Sequence, residues 1–128
     1  MIYIDTSALL RLVFPDDSTP ALEGFLRSDP DLVSSTLLTI EARRGTLRRA
    51  PQRLPRVDVL LGEVQIIGIT QSVVETAGRL PDPVLRSLDA IHLATALLIR
   101  DDVDALLTYD ERLAIAARSH GIEVAAPA

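Results

Sequence analysis

Ile2-Tyr3-Ile4-Asp5-Thr6-Ser7-Ala8-Leu9-Leu10-Arg11-Leu12-Val13 reads as a strand that passes directly into a helix. Ile2 to Ile4 is short and β-rich, Asp5-Thr6-Ser7 is a helix-start signature, and the apolar residues after it belong to a helix. Asp5 stands at the junction, beside a segment in which a solvated charge is out of place. Three further acids share that setting: Glu41 follows Leu37-Leu38-Thr39-Ile40, Asp89 opens Ala90-Ile91-His92-Leu93-Ala94, and Asp110 closes Ala105-Leu106-Leu107-Thr108-Tyr109. If the fold gathers these four carboxylates, their repulsion disfavours an empty site and favours a hard divalent cation.

The rest of the chain repeats the strand-then-helix alternation. Pro15 and the Asp16-Asp17-Ser18-Thr19-Pro20 cluster end the first helix and start a second, running to about Arg27. Asp31 to Ser34 is a weak short strand, and Ser34, Ser35 or Thr36 caps the helix that carries Glu41. Pro51 to Pro55 ends that helix, Val57 to Leu61 reads as a short helix, and Val64 to Ile69 reads as a strand. Thr70 to Leu80 is helical, Pro81-Asp82-Pro83 is a loop, and Ser87 to Arg100 is a helix apolar on most sides, suited to the core. Ala105 to Tyr109 is a strand, Asp110 to His120 a helix closed by Gly121, and Ile122 to Val124 a last edge strand. Strands separated by helices predict a three-layer α/β domain over residues 1–128 with a mostly parallel sheet of 4–5 strands. Ligands of such sheets gather at the carboxyl ends of the strands, where Asp5 and Asp110 fall.

Composition narrows the function classes. With 128 residues and 48% hydrophobic content the chain has the size of one ordinary domain. Cysteine is absent, which excludes a disulfide framework or thiolate metal site and sets a reducing, cytoplasmic expectation. No apolar run approaches the roughly 20 residues of a membrane helix, and Asp5 breaks the first apolar stretch, against a signal peptide. The net charge of −5 argues against a protein that coats itself in nucleic acid. Yet all 13 basic residues are Arg, and Arg43, Arg44, Arg48, Arg49, Arg53 and Arg56 crowd one stretch. Their planar forks suit RNA phosphates or an acidic protein partner; a solvated helix face is the plainer alternative.

Taken singly, each acid has a structural explanation. Asp5 and Asp110 suit N-caps, and Asp89 suits the first turn of its helix. Glu41 lies on the flank of an apolar face, where pairing with Arg44 or Arg48 would offset desolvation. Taken together they suit Mg²⁺ or Mn²⁺, whereas zinc is disfavoured with no Cys and only His92 and His120. His92, three residues past Asp89, is placed either to orient it by a hydrogen bond or to sit satisfied in the core. Ser7, Thr108 and Tyr109 are hydroxyls near the cluster, suited to capping or to positioning water. Tyr3, Phe14, Phe25 and Tyr109 are the only aromatic residues, so extensive base stacking is not expected.

The segments Ile4-Asp5-Thr6-Ser7-Ala8-Leu9, Leu88-Asp89-Ala90-Ile91-His92-Leu93-Ala94-Thr95-Ala96 and Leu107-Thr108-Tyr109-Asp110, with Glu41 in a helix between them, resemble the PIN-domain ribonucleases. More narrowly, they resemble the VapC toxins of type II toxin–antitoxin modules. The resemblance covers nearly the whole chain. It implies a Mg²⁺-dependent endoribonuclease whose acids correspond to Asp5, Glu41, Asp89 and Asp110, leaving a 5′-phosphate and a 3′-hydroxyl. It also implies a homodimer silenced by an antitoxin peptide inserted near the active site. Many relatives carry a further acid two positions after the last one; here that place is Arg112, which takes a ligand from a second metal position. A receiver-type phosphoacceptor also uses strand-end acids and Mg²⁺ but expects a Lys, which the chain lacks. A non-catalytic interaction module on the same fold is the remaining alternative.

Overall fold

The computed structural model describes residues 1–128. Strands β1 (Ile2–Ile4), β2 (Leu32–Ser35), β3 (Val64–Ile67), β4 (Ala105–Leu107) and β5 (Val124–Ala125) form one sheet in the order β3-β2-β1-β4-β5. Every pairing is parallel, so the sheet is wholly rather than mostly so. Helices α1 (Thr6–Val13), α2 (Thr19–Leu26), α3 (Thr36–Arg49), α4 (Leu54–Leu61), α5 (Gln71–Arg79), α6 (Ser87–Leu98) and α7 (Glu111–Ser119) make the crossovers.

β1 is fully buried because a central parallel strand is covered on both faces. Its alternation assigns the two cores. Ile2 and Ile4 pack with Leu9, Leu38 and Val57 under α1, α3 and α4, while Tyr3 packs with Leu93, Leu106 and Leu113 under α6 and α7. Strand order reverses at β1, with β2 and β3 to one side and β4 and β5 to the other. The carboxyl ends of β1 and β4 therefore border the crevice where a parallel sheet has room for a ligand.

Several element ends differ from the sequence reading. α4 begins at Leu54 rather than Val57, because Pro55 falls in the first turn, where its missing N–H is not needed. α6 ends at Leu98 and passes through a short 3₁₀ turn over Arg100–Asp102. β3 stops at Ile67 rather than Ile69. β4 ends at Leu107; the Thr108 N–H still donates to Ala125 O at 3.0 Å, and the following N–H groups turn to side chains, that of Tyr109 to Ser7 Oγ at 2.9 Å and that of Asp110 to Thr108 Oγ1 at 3.0 Å. Ile122 is drawn out of the last strand by the end of α7. Its N–H donates to Ala117 O and that of Gly121 to Arg118 O, both at 3.0 Å, with Gly121 at φ +81°. That is a Schellman closure, which needs a left-handed residue and leaves β5 to start at Val124. No helix is long and apolar enough to cross a membrane.

Candidate active site

Asp5 and Asp110 do cap their own helices, and the caps stand side by side. Asp5 Oδ1 accepts from Ala8 N at 3.1 Å at the start of α1, and Asp110 Oδ1 accepts from Leu113 N at 2.9 Å at the start of α7. Because β1 and β4 are neighbours in register, Thr108 links the two: its Oγ1 donates to Asp5 Oδ2 at 2.6 Å and accepts from Asp110 N at 3.0 Å. Ser7 Oγ adds a bond to Asp5 Oδ1 at 2.7 Å. Capping and clustering are thus one arrangement rather than rival readings.

Glu41 and Asp89 approach from opposite layers, on α3 and on the first turn of α6. Glu41 does not pair with Arg44 or Arg48. Its Oε1 accepts from Thr6 Oγ1 at 2.8 Å and lies 2.8 Å from His92 Nε2. His92 in turn does not orient Asp89; it is buried, with Nδ1 2.8 Å from the hydroxyl of the fully buried Tyr3. Burial holds the Tyr3 phenol far above its ordinary range, so it remains protonated and able to donate. With the phenol donating to Nδ1, Nε2 is the ring nitrogen left to donate to Glu41, a carboxylate that only accepts. The line Tyr3, His92, Glu41, Thr6 was not legible in the sequence beyond the presence of His92. Thr6 carries no signal apart from its place in the helix start.

Electrostatics separate the four acids. Burial raises the Asp5 carboxyl above the ordinary range, against the pull of Thr108, Ser7 and the Ala8 N–H. Burial also acts to raise Glu41, but the bonds from His92 and Thr6 outweigh it and hold Glu41 low. Asp89 is raised first by burial and next by the charge of Asp110, with smaller contributions from Asp5 and Glu41. All four carboxylates therefore share one field, and Asp89 takes the repulsion without a hydrogen bond or ion pair of its own.

No group of three or more of these side chains stands close enough to form a ready metal-ligand set. The donor chemistry still fits a hard cation. Asp89 has both oxygens uncommitted, Glu41 keeps Oε2 and Asp110 keeps Oδ2, while Asp5 accepts bonds on both oxygens. Uncommitted oxygens on separate carboxylates suit an ion that retains several waters, as Mg²⁺ does.

The arginine segment divides. Arg43 is tied to Asp58 at 3.1 Å. Arg44 and Arg48 line a cavity of about 410 Å³ beside Glu41 and Thr6, whose apolar wall includes Ile40 and Leu88. Arg49 lies over the Phe14 ring. Arg112 is exposed in the first turn of α7.

Comparison with known proteins agrees with this architecture. Ribonuclease VapC35 of Mycobacterium tuberculosis is 38% identical over 131 residues, covering 99% of this chain and 97% of the relative. Ribonuclease VapC47 of the same organism is 37% identical over 132 residues, with 99% and 97% coverage. A toxin–antitoxin complex from Klebsiella pneumoniae superposes with a TM-score of 0.74 at 25% identity, covering 100% of this chain and 98% of that one. The PIN domain profile matches residues 2–119, a span that contains every residue of the carboxylate cluster and its hydrogen-bond partners. A parallel sheet reversing at β1, acids at its carboxyl edge and this match together place the chain in the PIN domain family.

Proposed function

We propose that the protein is a metal-dependent endoribonuclease and the toxin of a toxin–antitoxin pair, with Asp5, Glu41, Asp89 and Asp110 as the site acids. The observation that carries this reading is Asp89: a partly buried carboxylate without a partner, facing three other acids at the strand-order switch. An isolated carboxylate in that field is costly unless a cation joins it. The full-length relatives named ribonucleases support the reaction class.

Asp89, Glu41 and Asp110 would hold the cation through their uncommitted oxygens, with Asp5 behind them; Mg²⁺ is the expected ion and Mn²⁺ a substitute. When bound, such an ion supplies Lewis acidity and a water of lowered pKa for phosphodiester hydrolysis. The chain's own contribution is preorganisation. Thr6 and His92 hold Glu41 at Oε1 and its pKa low, leaving Oε2 uncommitted. Ser7, Thr108 and the α1 N-terminus hold Asp5 rigid. No side chain is needed as a nucleophile.

The cavity lined by Arg44, Arg48, Ile40 and Leu88 suits an antitoxin segment that pairs acidic with apolar side chains, because its cations lie beside an apolar wall. The same reading makes the protein a cytoplasmic homodimer, which sedimentation at micromolar concentration tests. Incubation with single-stranded RNA in Mg²⁺, in Mn²⁺ and in chelator tests the reaction. Cleavage should require the metal and vanish in Asp5→Asn and Asp89→Asn; cleavage that persists in chelator, or in either variant, overturns the assignment.

A further inference from the structure

With only two Tyr and two Phe, the sequence offers little base stacking and leads to the expectation that phosphate contacts and RNA shape dominate RNA binding. The fold places two of these four rings, Phe14 and Tyr109, under arginines on one surface that leads away from the acids. Arg11 lies over the Tyr109 ring at 3.8 Å, Arg49 over Phe14 at 4.1 Å and Arg53 over Phe14 at 5.0 Å. Two adjoining cavities join Arg11, Phe14, Arg49 and Arg53, and Arg11 links them to Tyr109. One, of about 200 Å³, is lined by Ser7, Arg11, Phe14 and Arg49; the other, of about 370 Å³, is lined by Phe14, Arg49 and Arg53. Ser7 bonds to Asp5 and Tyr109 directly precedes Asp110, so the strip begins beside two of the four acids.

We infer that this strip of Ser7, Arg11, Phe14, Tyr109, Arg49 and Arg53 is the subsite that holds the RNA strand flanking the cut. Guanidinium planes and aromatic rings are the surfaces on which unpaired bases stack, and the same cations neutralise phosphates. Neither Arg49 nor Arg53 has a carboxylate partner; Arg53 donates to Val13 O at 2.8 Å and lies over the Phe14 ring, and Arg49 meets only that ring. The one acid on the strip, Asp16, is already engaged by Arg11 at 3.2 Å and by Ser18. From Ser7 to Phe14 the α1 face extends roughly 10 Å, enough for two or three nucleotides at a strand rise of roughly 3.4 Å. The cavity beside Glu41 lacks any aromatic ring, which is why the two arginine groups are assigned different occupants.

The inference rests on the ribonuclease reading, and the test separates the two. In an Asp89→Asn background that prevents cutting, fluorescence anisotropy follows a labelled single-stranded oligouridine of about 12 nucleotides across a salt series. Phe14→Ala should weaken binding about tenfold, and Arg49→Ala and Arg53→Ala should each reduce the salt slope by about 0.7. Arg49→Lys should keep the slope while losing part of the affinity, and Arg79→Ala, far away on α5, should change neither. Protein with Asp89 intact that cuts RNA, while the strip variants bind with unchanged affinity and slope, would overturn the subsite alone. Strip variants that bind RNA normally but lose an acidic antitoxin peptide would reassign the strip to a protein partner and likewise overturn it. Failure of the unsubstituted protein to bind or cut any RNA would bring down both readings.

Discussion

His92 shows how one buried side chain serves both core and site. Its ring fills the space between β1 and α6, while its two nitrogens join the Tyr3 hydroxyl to Glu41. Replacement by Leu keeps the volume but leaves Glu41 with Thr6 as its only donor, so Mn²⁺ affinity measured by calorimetry should fall about 10–100-fold. Gln, which can donate from a similar position, should restore part of that affinity; equal loss in both variants would reduce His92 to a packing role. Asp89 allows a pH test. Its folded pKa lies above the unfolded value, so between the two the native state binds more protons and stability falls as pH rises. In chelator at neutral pH, Asp89→Asn should therefore melt higher than the unsubstituted protein. The gain should disappear below about pH 4, as the carboxyl becomes protonated in the unfolded state as well as in the folded one. A gain independent of pH would remove charge repulsion as its cause.

Helix ends carry much of the local specification. Ser35 caps α3 by accepting from Leu37 N at 3.1 Å, and this cap sets the direction in which α3 presents Glu41. Ser35→Ala should cost about 1 kcal/mol in denaturant unfolding. At the other end of the domain, Gly121 holds the left-handed residue of the α7 closure, and an added Cβ would meet Arg100 Nη2 at 3.3 Å. Gly121→Ala should cost roughly 1–2 kcal/mol and leave metal affinity unchanged, because this end of α7 is remote from Asp110. Inside the second core, Leu93→Ala empties a fully buried site between β1 and α6 and should cost about 2–5 kcal/mol.

The whole molecule couples metal to folding. Acids from the β1–α1 junction, α3, α6 and the β4–α7 link come together only in the native state, so an ion bound there stabilises that state alone. At a hundredfold excess over Kd, Mg²⁺ or Mn²⁺ should add about 2.7 kcal/mol to unfolding, read as a concentration-dependent rise in Tm. Asp89→Asn should abolish most of the rise. A Tm unmoved by either ion would contradict the proposed site.

Strand and helix periodicity, caps and turn residues are local, and they sufficed for the order of the elements, the three layers and the nomination of Asp5, Glu41, Asp89 and Asp110. The motif around Asp89 and His92 pointed to the family for the same reason: it is contiguous in the chain. Pairing across the fold was not legible. Glu41 meets His92 rather than Arg44, and Phe14 and Tyr109 meet arginines from three different segments, because sheet order and helix packing decide which distant faces touch. Charge sharing among the acids is likewise a property of distance and burial, which exist only once β1 and β4 lie side by side.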